Sequence, residues 1–209
     1  MKSLFKLACV CLGTLGLAGH LGAELITFDD LPATPPPAGG TSIPSGYAGL
    51  SWANFDYETV MNNPALNPSG YLNGMVSPGN VAFNNRGTPA LFSGTTFNLV
   101  SAWLTGGWND GLNVEVEGLL GSSVIYDNFY TVDSTAPTLI NFNYLDVNQV
   151  IFISEGGTPH GYPSGSGEQF VLDNLTVTPT PEPSVLFLAV SGAIALVMFR
   201  RKGVSACRL

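Results

Sequence analysis

Leu112-Asn-Val-Glu-Val-Glu117 decides the fold class. Apolar and polar residues alternate along it one by one. A strand places Val114 and Val116 on one face and Asn113, Glu115 and Glu117 on the other; a helix would scatter both sets around its axis. One buried face and one wet face is the signature of a strand in an antiparallel sheet.

The same reading extends outward in both directions. No stretch between Glu24 and Thr178 keeps a 3.6-residue period. Strand signals fall instead at 25–28, 50–57, 81–84, 96–104, 123–131, 138–144, 150–154 and 169–177. The 96–104 run is apolar on both faces and is predicted to be central. Turn chemistry separates the runs. Asn109-Asp110-Gly111 is predicted to join neighbouring strands, Gly118-Leu-Leu-Gly121 to close a hairpin and 133–137 to form a turn. A Gly/Pro/Ser-rich loop spans 156–167, and a Pro-rich excursion spans 32–40. The expected fold is all-β: a two-sheet antiparallel jelly-roll sandwich, with a meander over 96–131 and the first strand pairing with the last.

Composition agrees. The chain has 209 residues, 45% hydrophobic but only 11% charged, with 25 Gly and 15 Pro. An average protein carries about 25% charged residues. All fifteen acids lie between Glu24 and Glu182, and Arg86 is the only base among them, so the middle carries a net −14 against −8 for the whole chain. Such a surface repels phosphate backbones and excludes nucleic acid as a partner. The middle also lacks cysteine: Cys9, Cys11 and Cys207 lie at the ends. The domain must therefore be held by its core alone.

Both ends carry addresses. Lys2 and Lys6 precede an apolar run over 7–17, and small residues follow up to Ala23. This pattern predicts a signal helix over 1–23, cut after Ala23 by signal peptidase. A second apolar run, 185–199, ends at Arg200-Arg201-Lys202. Fifteen helical residues span about 23 Å, short of a 30 Å hydrocarbon core. The run is predicted to be a transmembrane helix in the inner membrane, with a basic cytoplasmic tail over 200–209. Between the exported domain (24–177) and this helix lies a Pro-rich linker, 178–184, Thr-Pro-Thr-Pro-Glu-Pro-Ser.

Pro181-Glu182-Pro183, a short apolar helix and Arg200-Arg201-Lys202, in that order, resemble the PEP-CTERM sorting signal of Gram-negative bacteria, which exosortase reads. The resemblance implies that Pro181, Glu182 and Pro183 are the recognition motif and the three basic residues the stop signal. It also implies removal of the helix and delivery to the cell surface or the extracellular polysaccharide matrix. The domain itself is similar to galactose-binding-like jelly rolls and calcium-bearing carbohydrate-binding modules. That likeness rests on strand rhythm and on two phrases, Ile26-Thr-Phe-Asp-Asp-Leu31 and Phe170-Val-Leu-Asp-Asn-Leu175.

Catalytic equipment is thin. After signal removal His160 is the only histidine, and no Gly-x-Ser-x-Gly elbow is present. One histidine and no cysteine cannot make a zinc site. Glu115 and Glu117 stand on one strand face about 7 Å apart, a spacing a glycosidase could use; a solvated strand face is the plainer reading. Asp29, Asp30 and Asp173 would meet if the first and last strands pair, and a structural calcium ion would relieve their repulsion. For glycan binding the candidates are Trp108 and Asn109 in the Gly106–Gly111 turn and Tyr162 in the Gly-rich loop. Trp52 and Trp103 are expected in the core. The expected function is a non-catalytic, structural or adhesive domain that binds extracellular polysaccharide. The alternative is a secreted carbohydrate-active enzyme using paired carboxylates.

Overall fold

The computed structural model describes residues 22–35 and 39–180. The hydrophobic core of the signal helix, Pro181-Glu182-Pro183, the 185–199 helix and Arg200, Arg201 and Lys202 lie outside these residues. Among the described residues no helix is long and apolar enough to cross a membrane.

Twelve strands follow in chain order: β1 (Glu24–Ile26), β2 (Thr41–Ser42), β3 (Ser51–Ala53), β4 (Phe55–Thr59), β5 (Asn80–Asn84), β6 (Ala90–Gly106), β7 (Asn109–Asp110), β8 (Leu112–Leu120), β9 (Ser123–Val132), β10 (Thr138–Glu155), β11 (Thr158–Pro159) and β12 (Phe170–Pro179). All pairings are antiparallel. The main ladder runs β2-β4-β5-β12-β6-β10-β8-β9, with β1 added to β12 and β3 to β6, while β7 and β11 pair separately.

One hydrogen-bonded network becomes two layers because β6 and β10 bend. Phe142 and Phe152 lie ten residues apart on β10, about 33 Å if the strand were straight. Their rings are 6.2 Å apart. Asn143 and Asp146 adopt left-handed backbone (φ 54° and 55°) at the bend, and the β10–β6 register shifts there three times. Such bulges let a strand leave one sheet and enter another. Two stacks result: β3, the start of β6, the end of β10, β8 and β9 face β2, β4, β5, β12, β1, the end of β6 and the start of β10. Phe55 of β4 is four strands from β10 in the ladder, about 19 Å in a flat sheet, yet its ring lies 5.9 Å from that of Phe152. The sandwich core is aromatic at this point, with Phe28, Trp52, Phe55, Phe92, Phe152 and Phe170 in one buried cluster.

The first strand does pair with the last: Leu25 opposes Thr176 and Ile26 opposes Leu175. Other expectations need correction. The 96–131 meander does not form, because β10 lies between β6 and β8. The predicted strands 138–144 and 150–154 are one bent strand. The predicted strand 50–57 is two, broken at Asn54 (φ 58°), whose side-chain amide donates to the Thr88 and Pro89 carbonyls. The β8–β9 hairpin closes at Gly121-Ser122 rather than over Gly118–Gly121, since Leu120 still opposes Ser123. Trp52 is buried as expected, whereas Trp103 is only half-buried.

The crossover between β4 and β5 carries a single helical turn, α1 (Gly70–Asn73), capped by the Ser69 hydroxyl accepting from the Tyr71 N–H at 3.2 Å. This crossover lies across the outer face of β4, β5 and β12. It covers a second, smaller cluster of Val60, Tyr71, Val81, Phe83, Trp108 and Val171.

Candidate functional site

Alternation on β4 builds the site. Phe55 and Tyr57 face the main core, so Asp56 and Glu58 must face outward. In an ordinary sandwich that side is wet. Here the 60–79 crossover roofs it, and a cavity of about 490 Å³ remains beneath the roof. Asp56, Glu58 and Phe83 supply one wall, Asn63, Leu66 and Tyr71 the roof, and Trp108 and Gln169 one end; Gly40, Asn85 and Arg86 complete the lining.

The walls are aromatic. Tyr71 meets Phe83 edge-on at 5.1 Å and leans on Trp108 at 5.3 Å. Close approach of α1 to the Gly106-Gly107 turn holds Tyr71 in place: the Gly70 N–H donates to the Gly107 carbonyl at 3.0 Å. A Cβ at Gly70 would overlap the Gly106 carbonyl oxygen, so only glycine permits this packing.

The β4 wall is acidic. Glu58 is 2% exposed. Its Oε1 accepts from the Asn63 side-chain amide at 3.2 Å, while its Oε2 is buried without a hydrogen bond. Burial raises the Glu58 carboxyl above its ordinary value, against the opposing pull of Asn63, Thr34 and the Gly40 amide. Asp56, also buried, accepts from the Ser42 hydroxyl at 2.9 Å. Gln169 leaves its buried Oε1 unsatisfied as well. The Tyr71 phenol is pushed upward first by burial and then by the negative charges of Glu58 and Asp56. Arg86, the domain's single arginine, is exposed at the rim.

The residues expected to bind glycan fall in and behind this cavity. Trp108 lines it but is only 8% exposed, a correction to the expectation of an open stacking platform. The 156–167 loop causes the difference. The His160 N–H donates to the Trp108 carbonyl at 2.9 Å, and Gly165 packs so closely on the indole that a Cβ there would overlap it. Asn109 is buried and donates to the Gly156 carbonyl at 2.8 Å, pinning the same loop. Tyr162 is half-buried behind Trp108, 6.5 Å between rings, and its hydroxyl bonds with Asn73 and Ser134.

The expected calcium ligands do not converge. Asp173, fully buried, accepts from the Val76 and Ser77 N–H groups at 2.7 and 2.8 Å and from the Asn174 N–H at 2.7 Å. Asp29 accepts from the Asn80 N–H at 2.9 Å, and Asp30 from the Tyr47 hydroxyl at 2.6 Å. Each carboxylate thus has its own protein donor. Among the described residues no three acidic, histidine or cysteine side chains are placed to share a metal ion.

Glu115 and Glu117 face outward on β8, opposite Phe129 and Asp127 of β9. Burial and the neighbouring charges of Asp127 and Glu117 raise the Glu115 carboxyl. The pair lies on the open sheet face, away from the cavity. His160 bonds Asp110 at 2.6 Å, and Asp110 in turn accepts from the Ser134 hydroxyl at 2.6 Å. The carboxylate therefore sits between serine and imidazole, an order that cannot relay a proton from the hydroxyl to the ring as a nucleophilic triad requires.

Asp56, Glu58, Tyr71, Phe83 and Gln169 escape the sequence reading. The available signal is the pair of acids alternating within an aromatic strand, in a chain where charge is scarce.

Comparison with known proteins supports the fold. A DUF4465 family protein from Bacteroides caccae superposes with a TM-score of 0.55 at 14% identity, over 76% of this chain and 100% of that one. At that identity the likeness shows the β-sandwich fold alone. Weaker resemblances include the CBM22-1–CBM22-2 tandem domain of Paenibacillus barcinonensis Xyn10C (TM-score 0.39, 12% identity, 77% of this chain and 46% of that one). Another is TmCBM61 in complex with β-1,4-galactotriose (TM-score 0.33, 10% identity, 66% and 95%). No family model and no curated protein matches the chain.

Proposed function

We propose that the chain is an exported, surface-sorted protein whose β-sandwich is a non-catalytic glycan-binding module, and that the cavity between β4 and α1 holds the sugar. One observation carries this reading: a cavity of about 490 Å³ whose lining combines Tyr71, Phe83 and Trp108 with the carboxylates of Asp56 and Glu58 and the amides of Asn63, Asn85 and Gln169. Its volume lies within the range of about 300–1,000 Å³ common for small-molecule sites. Aromatic faces suit the apolar C–H faces of a pyranose, and carboxylates and amides suit its hydroxyls.

The address at the two ends belongs to the same proposal. Signal peptidase would cut after Ala23. An exosortase-type enzyme would read Pro181-Glu182-Pro183, with the 185–199 helix in the inner membrane and Arg200, Arg201 and Lys202 in the cytoplasm. The product would reach the surface or polysaccharide matrix of a Gram-negative cell. Intact mass of the protein recovered from cells and medium locates both cuts.

Tryptophan fluorescence of the whole protein, titrated with oligosaccharides, tests the binding site, because Trp108 lines the cavity. Saturable quenching that Tyr71→Ala removes, with no reducing sugar released, supports the module. Sugar release abolished by Glu115→Gln would establish the enzyme reading instead. Absence of any response across neutral, acidic and basic glycans would refute the proposal.

A further inference from the structure

We infer that β9 is the contact through which two copies of this chain join, edge to edge, into a closed dimer. β9 ends the ladder. It pairs with β8 on one side, and among the described residues its backbone bonds no other strand. The outward N–H and C=O groups of a ten-residue strand are thus open to a further strand.

The rest of the fold treats its edges differently. β1, β2 and β3 also end the network, but they are three, two and three residues long, too short to seat a partner strand. A Pro-rich excursion leads into β2. Lys, Pro and short strands are the usual means of blunting an edge. β9 has neither Lys nor Pro, and Asp127 is its one charged residue. Phe129 is 63% exposed, Val124 48% and Ile125 44%.

This asymmetry names the occupant. With a single long open edge, the surface on another copy that matches β9 is β9 itself. Such a contact is isologous and closes at two, whereas an open row of copies would need a second long edge.

Sequence sets the register. A two-fold axis across an antiparallel pair puts one residue opposite itself. Centring on Asp127 would set two carboxylates against each other, which destabilises a sheet. Centring on Tyr126 would run the pairing through the β9 register shift at Ile125. Centring on Asn128 sets amide against amide, Asp127 against Phe129, Tyr126 against Tyr130 and Ile125 against Thr131. Aromatic and β-branched pairs of this kind stabilise neighbouring strands. The cavity beneath α1 lies on the other layer, so the inference is independent of the glycan reading.

Sedimentation of the whole protein in mild detergent, over a concentration series, tests the inference. A dimer is expected. Phe129→Glu sets a like charge against Asp127 of the other copy at two symmetric places and should weaken association about tenfold or more. Adding Asp127→Lys turns both contacts into ion pairs and should restore association to within about threefold. Equal melting temperatures show that the variants fold. A second measurement replaces Cys9, Cys11 and Cys207 by serine and introduces Asn128→Cys. Directly opposed Cα atoms lie about 4.5–5.5 Å apart, within the range of about 4.4–6.8 Å that a disulfide spans. Mild oxidation should therefore link two Asn128→Cys chains, whereas Asn113→Cys on β8 should stay unlinked. A monomer at every concentration, a dimer indifferent to Phe129→Glu, failure of the Asn128→Cys link, or assemblies larger than two would each overturn the inference.

Discussion

The carboxylate of Asp110 and the imidazole of His160 meet at 2.6 Å, although fifty positions separate them in the chain. The contact clamps β7 to β11, where Thr158 opposes Asp110, and so fixes the loop that covers Trp108. The hydrogen bond from Ser134, followed by that from His160, lowers Asp110 to about 2.

A depressed carboxylate stabilises the fold above its unfolded value, near 3.8, and that contribution disappears as the pH falls towards 2. Both partners are 36% exposed, so solvent screening holds the gain to about 1 kcal/mol or less. Asp110→Asn should lower the melting temperature at pH 7 by about 2–4 °C. It should also flatten the acid limb of a melting-temperature profile below pH 4.

Asp173 has the opposite sign. Burial raises it to about 6, against four hydrogen bonds that pull it down. Its proton is bound more tightly in the folded state, so this contribution is full below the unfolded value and fades as the pH rises through 6. Asp173→Asn should remove that slope between pH 4 and 6. Asp173→Ala strands the Val76 and Ser77 amides and should cost about 3 kcal/mol or more. Because protein donors hold Asp29, Asp30 and Asp173, a chelator should leave the melting temperature unchanged.

Gly70→Ala tests the seat of α1. The added methyl has no space against the Gly106 carbonyl, and overpacking of this kind costs about 1–3 kcal/mol. Tyr71 should shift with the helix. Ligand-induced quenching of Trp108 should weaken more than the melting temperature alone accounts for.

The corner of β10 depends on backbone that few residues tolerate. Asn143 has φ 54°, where a β-branched side chain is penalised by about 1–2 kcal/mol. Asn143→Val should destabilise by that amount in urea melts, while Asn143→Gly should leave stability within about 0.5 kcal/mol.

Strand existence is legible in the sequence because a half-buried strand must alternate, as 112–117 does. Strand continuity is not. Asn54 and the Asn143–Asp146 region carry the same turn-prone residues, yet the first ends a strand and the second bends one. Only the partner strands decide between them: Thr88 and Pro89 capture the side chain of Asn54, whereas β6 stays paired across the β10 bend. The site is legible in part for a related reason. Trp108 stands out as an aromatic in a turn. The role of Asp56 and Glu58 depends on the 60–79 crossover lying over an otherwise wet face, and no local pattern announces which face that will be.

The pairing of β1 with β12 places Glu24 opposite Val177, so both exits of the domain share one pole. Gln169, which lines the cavity, sits at the other end of β12, about 30 Å away. A tether attached after Thr180 would therefore hold the domain by its foot.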